Sequence, residues 1–108
     1  RWMALSNGKI GLMAIGAPTF DGSVHQYPYE DLDHVRHGQK HGKLDIKPKD
    51  QVDWLIDYKQ MGVGGDNSWG ARPHKKYTLD PRPYHNSFLL VPFDAKDDLT
   101  HLSKLVID

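Results

Sequence analysis

The sequence predicts an all-β fold, an antiparallel β-sandwich with one or two short peripheral helices. Three observations carry that expectation. The chain holds about six short apolar runs of strand length, separated by turn signals. One run, Val52 to Lys59, alternates with a period of two. Ten Gly and seven Pro in 108 residues favour many turns over long helices.

The elements follow in order. Trp2–Ser6 and Lys9–Ile15 are apolar runs separated by Asn7-Gly8. Asn-Gly is the strongest short hairpin signal, because both residues tolerate the positive φ of a type I′ turn. Residues 17–22 read as loop around Pro18 and Asp21-Gly22, and Ser23–Tyr27 as a short strand. Pro28–His37 reads as a short helix. Pro28 suits the first turn, Glu30, Asp31 and Asp33 sit early, and Arg36 and His37 sit late, as the helix dipole favours. Gly38 and Gly42 end it. Leu44–Lys47 reads as an edge strand stopped by Pro48.

Val52, Trp54, Ile56 and Tyr58 then alternate with Asp53, Leu55, Asp57 and Lys59, which argues a half-buried strand. Gly62–Pro73 is a polar, Gly-rich loop. Lys75–Leu79 and Ser87–Val91 read as two further strands, joined by a turn around Pro81 and Pro83. In the tail, Leu99, Leu102, Leu105 and Val106 have helical spacing. The expected organisation is therefore a sandwich domain over 1–93 and a tail over 94–108.

Composition narrows the function classes. Formal net charge is zero, which provides no electrostatic footprint for nucleic acid or an anionic membrane. The longest apolar stretch, Ile10–Ala17, is far too short to span a bilayer. Cysteine is absent, so disulfides and thiolate metal sites are excluded and the compartment stays open. The chain opens at Arg1-Trp2 inside an apparent strand, without an initiator Met, and is expected to be a piece of a longer protein.

The most unusual segment is the loop MGVGGDNSWG, Met61 to Gly70. Glycines let the backbone turn sharply or approach closely, and Asp66, Asn67 and Ser68 are suited to bonding the loop to itself. Trp69 stands in this polar loop rather than on an alternating strand, as Trp54 does. Two readings remain open on the residues alone. Trp69 is either an aromatic platform for the C–H face of a sugar, or a plug folded back over the end of the sandwich.

Other chemistry is poorly served. Gly62-x-Gly64-Gly65 has neither the third glycine of a dinucleotide fingerprint nor the Gly-Lys-Ser/Thr ending of a phosphate loop. His34, His37 and His41 would share one helix face, but Gly38 interrupts it, so solvated or capping histidines are expected rather than metal ligands. No Ser sits in a nucleophile elbow. Asp occurs thirteen times, mostly in turns or on the outer faces of strands, and Glu once, at Glu30.

The stretch DYKQMGVGGDNSWG, Asp57 to Gly70, resembles the C-terminal, small-chain domain of the large bacterial β-galactosidases of glycoside hydrolase family 2. Arg1-Trp2 with the Gly11-Leu12 hairpin, Tyr27–Leu32 followed by His34 and His37, and Tyr84–Pro92 extend the resemblance over about residues 1–93. The tail from Asp94 has no counterpart.

The resemblance implies that the chain is the final part of a galactose-mutarotase-like supersandwich. It also implies a parent enzyme that hydrolyses terminal β-D-galactosyl residues with retention, using two Glu on a TIM barrel elsewhere in the polypeptide. Retaining chemistry needs two carboxyl groups about 5 Å apart, and one Glu does not supply the family's pair. No catalytic residue and no metal ligand is expected here, and this piece alone is expected to be inactive. The Mg²⁺ and Na⁺ that the resemblance implies belong to the full-length enzyme, as do the β-galactoside substrate, the barrel partner and a homo-oligomeric state. One site residue carries over: Trp69, as a stacking contact to the leaving-group sugar. Two alternatives stand beside this, a stand-alone carbohydrate-binding module and a structural, oligomer-contact domain with Trp69 buried.

Overall fold

The computed structural model describes residues 1–28 and 47–105. They contain five strands: β1 (Trp2–Ser6), β2 (Ile10–Gly16), β3 (Asp21–His25), β4 (Asp53–Asp57) and β5 (Phe88–Asp94). A 3₁₀ turn at Lys75–Tyr77 and one short helix, α1 (Leu99–Leu102), complete the list. The fold class is all-β, as the strand pattern predicts. The chain divides into two compact units, one made of Arg1–Asp21 and Asp57–Asp108, the other of Gly22–Ile56.

The larger unit is built on an antiparallel sheet in the order β1-β2-β5. Its centre is β2, where Met13 pairs with Ala4 on one side and Val91 on the other. Paired residues share a face, so Ala4, Met13, Ile15, Leu89, Val91 and Phe93 point the same way. Met13, Ile15 and Phe93 are buried there, with Leu99 and Leu102 packed against them. Full burial of a side chain such as Met13 stabilises by about 1.5–3 kcal/mol. Leu99 and Leu102 of the tail thus pack on this core.

Asp98 caps α1 by accepting from the backbone N–H groups of Thr100 (2.9 Å) and His101 (3.2 Å). A second acidic device turns the chain into the helix. Asp97 accepts from the Asp94 N–H at 2.7 Å, and Asp94 from that of Lys96 at 2.7 Å.

The β1–β2 turn differs from the expected type I′. The positive φ falls on Gly8 alone, at 88°, and Asn7 keeps a negative φ. That is the φ pattern of a type II′ turn centred on Gly8-Lys9. Asn7 contributes its side chain instead, its Oδ1 accepting from the N–H of Lys9 (2.9 Å) and of Ile10 (3.0 Å).

β5 runs three residues beyond the expected Val91, through Pro92. Ser87 O accepts from Ala17 N–H, and Ala95 N–H donates to Lys9 O, so odd-numbered residues of β5 turn their polar backbone toward β2. Pro92 is even-numbered and faces the outer edge, where a missing N–H breaks no ladder bond.

The expected strand at Lys75–Leu79 is replaced by the 3₁₀ turn. Tyr77 N–H donates to His74 O (2.8 Å) and Thr78 N–H to Lys75 O (3.1 Å), closing i→i+3 rings. Tyr77 and Leu79 alternate with polar neighbours, which imitates a strand, but no described strand pairs with the segment.

In the smaller unit, β3 pairs with β4. β3 begins at Asp21, two residues before the expected Ser23, and ends at His25. β4 sits within the alternating run, with Trp54 and Ile56 half-buried. The expected helix at Pro28–His37 except Pro28, the histidines at 34, 37 and 41, and all of the Leu44–Lys47 strand except Lys47 lie outside the described residues.

Candidate functional site

The loop between β4 and the 3₁₀ turn is shaped by polar bonds and by two glycines. At its base, Gly62 N–H donates to Tyr77 O at 2.8 Å. Across its middle, the two arms come so close that a Cβ on Gly65 would lie 2.3 Å from the carbonyl oxygen of Ala71, so only glycine fits there. At its far end, Gly70 takes φ 92°, a conformation that L side chains rarely adopt.

Asn67 directs the chain between these points. Its Oδ1 accepts from the backbone N–H of Trp69 at 2.8 Å and of Ala71 at 3.3 Å. This is an Asx-type turn, in which a side-chain oxygen substitutes for a backbone acceptor. Asp66 meets His74 across the loop, with Nε2 at 2.8 Å from Oδ1 and 2.9 Å from Oδ2. The pair is open to water, with side-chain exposures of 57% for His74 and 80% for Asp66. A pair this exposed stabilises by at most about 1 kcal/mol.

The result is a loop that holds its backbone and offers its side chains. Trp69 is 92% exposed and Val63 98%, more than any other large apolar residue described. Trp69 does not fold back as a plug in this chain. A solvated indole gains nothing from burial, so Trp69 adds no hydrophobic stability to the chain in this pose. Ser68 makes no hydrogen bond among the described residues, leaving Asp66 and Asn67 as the members of the motif that shape the loop.

Among the described residues no three His, Asp or Glu side chains converge to hold a metal ion. No described helix is long and apolar enough to cross a membrane.

The family described as beta galactosidase small chain matches residues 1–90. The chain belongs to that family. Its relatives agree. A beta-galactosidase of Priestia megaterium is 37% identical over 94 residues, covering 85% of this chain and 9% of its own length. A beta-galactosidase of Alteromonas mediterranea is 38% identical over 74 residues, covering 68% and 6%, and one of Vibrio vulnificus is 30% identical over 73 residues, covering 68% and 7%. The chain spans less than a tenth of the length of these relatives.

Within this small-chain member, the structure brings together residues that pattern reading had left apart. His74 carried no signal in the sequence, since nothing in its spacing marks it as a partner of Asp66 eight positions earlier. Val63 likewise looked like one more loop residue between glycines. Only the closed arms of the loop give either a place.

Proposed function

We propose that this chain is the C-terminal small-chain piece of a retaining β-galactosidase, and that Trp69 supplies the rim of its active site as a stacking platform for the leaving-group sugar. The observation that supports the reading is the pose of Trp69: fully presented, on a loop whose backbone is fixed by Asn67, Gly65 and Gly70. An indole face offers flat apolar area for the C–H face of a pyranose, while hydroxyl recognition falls to polar groups around it.

In this reading the acid/base and nucleophile Glu residues lie on a barrel elsewhere in the polypeptide, as do any Mg²⁺ and Na⁺. The small-chain piece adds no group to bond cleavage. It adds affinity for the sugar that leaves after galactosyl transfer, and so biases the galactosyl-enzyme between water and a sugar acceptor. Positioning an acceptor favours transglycosylation, because a bound hydroxyl reacts at high effective concentration.

The test is Trp69→Leu in the full-length polypeptide. A stacked aromatic face is worth about 0.5–1.5 kcal/mol beyond its buried area. Glucose affinity for the galactosyl-enzyme is therefore expected to fall several-fold to tenfold, with the rate of galactosyl transfer from an activated galactoside retained. Unchanged acceptor affinity would refute the assignment.

A further inference from the structure

A concave site lies in the larger unit, and Trp69 is not among its lining residues. It encloses about 280 Å³ and is lined by Asp21, Lys59, Gln60, Lys76, Asp80 and Arg82, with tyrosines beside them. Small-molecule sites begin at roughly 300 Å³, so this volume suits a ligand of one sugar ring.

Its walls are unusual in how the cations are held. Lys59 lies 5.0 Å from the centre of the Tyr58 ring, Lys76 4.6 Å from that of Tyr77, and Arg82 5.2 Å from that of Tyr84. Cation–π contact orders a long side chain without neutralising it. None of the three cations forms an ion pair with a described carboxylate. Tyr84 is itself anchored, its hydroxyl donating to Asp80 O at 2.7 Å and its ring resting 5.9 Å from that of Tyr58. The side-chain hydrogen bond with Tyr84 is the main cause of a rise in the Arg82 pKa.

The same pocket carries hydrogen-bond acceptors. Asp21 and Asp80 bring carboxylates to its lining, and Gln60 an amide. A simple anion would meet those carboxylates as like charges. A neutral sugar would leave the pocket one positive charge in excess, three cations against two carboxylates. A ligand with hydroxyls on one side and an anionic group on the other satisfies both sets. We propose that this pocket binds a monosaccharide bearing one anionic group, a carboxylate or a phosphate, with the anion at Lys59, Lys76 and Arg82 and hydroxyls at Asp21, Asp80 and Gln60. The proposal goes beyond the role given to Trp69 and does not rest on it.

The experiment is calorimetric titration of the full-length polypeptide in the Trp69→Leu background, where stacking at the loop is removed. The probes are glucuronate, glucose 6-phosphate, glucose and inorganic phosphate. Saturable binding of at least one acidic sugar is expected, with glucose and inorganic phosphate at least tenfold weaker. Whichever acidic sugar binds more tightly identifies the anion that the site takes. Arg82→Met is expected to weaken that binding about tenfold, as loss of a charge-assisted hydrogen bond does. Lys76→Met is expected to weaken it several-fold, and checks the result if Arg82→Met disturbs its own loop. Binding of glucose or inorganic phosphate as tight as that of the acidic sugars overturns the proposal. So does no binding of either acidic sugar, or parent-like affinity in both Met variants.

Discussion

The β1-β2-β5 sheet and the Met61–Pro73 loop solve opposite problems with different means. The sheet joins residues far apart in sequence through backbone ladders, and closes over Met13, Ile15 and Phe93. The loop buries no apolar side chain, and is held by bonds between near neighbours: Asn67 to Trp69 and Ala71, Asp66 to His74. Stability is concentrated in the first and presentation in the second. A loop that collapsed on its own apolar residues would hide Trp69 and Val63, so its order has to come from polar contacts and glycine geometry.

Breaking the sheet should therefore cost stability, and breaking the loop should cost recognition. The largest effect is expected from Met13→Ala. Met13 has no exposed surface, and such truncations destabilise by about 2–5 kcal/mol. Chemical denaturation should show a lowered midpoint for the unfolding of this domain, with acceptor affinity in the remaining folded protein unchanged.

Asn67→Ala should do the reverse on a smaller scale. It removes the acceptor for two backbone N–H groups, worth about 0.5–1.5 kcal/mol each. The expected result is acceptor affinity reduced several-fold with a denaturation midpoint moved less than by Met13→Ala. Asn67→Asp keeps the accepting oxygen and should restore most of the loss. If both variants lower the midpoint as Met13→Ala does, loop and sheet are one cooperative structure and the contrast fails.

The smallest effect is expected from His74→Ala. The Asp66–His74 pair is exposed and worth at most about 1 kcal/mol, so acceptor affinity should change less than about fivefold. A larger loss would make this pair, rather than Asn67, the main clamp on Trp69.

The sheet was more legible in the sequence than the loop, for reasons of range. β1 has the boundaries that its apolar run implies, and the hairpin follows from Asn7-Gly8, although Asn7 works through its side chain rather than its backbone. β4 follows from its alternation. Lys75–Leu79 misled because a single Tyr-Thr-Leu alternation is too short to distinguish a strand from a turn closed by i→i+3 bonds. β5 ran past the expected end because proline is tolerated at an outer edge, and edges are properties of a sheet rather than of a sequence.

At the site, Trp69 was visible as an aromatic in an unusual place, and Asp66 and Asn67 as loop formers. The His74 contact and the pocket of Lys59, Lys76 and Arg82 were not. They depend on which distant segments the fold brings together, from Asp21 to Tyr84.

Pro92 has a consequence outside the site. Among the described residues no strand pairs with the outer edge of β5, and another extended chain docking there would bond rung by rung. At Pro92 one rung is absent. An incoming strand would have to leave a carbonyl unmatched at the middle of its contact, with a ring pressed against it. The residue that cost the native ladder nothing thus makes this margin of the sheet a poorer template for a further strand.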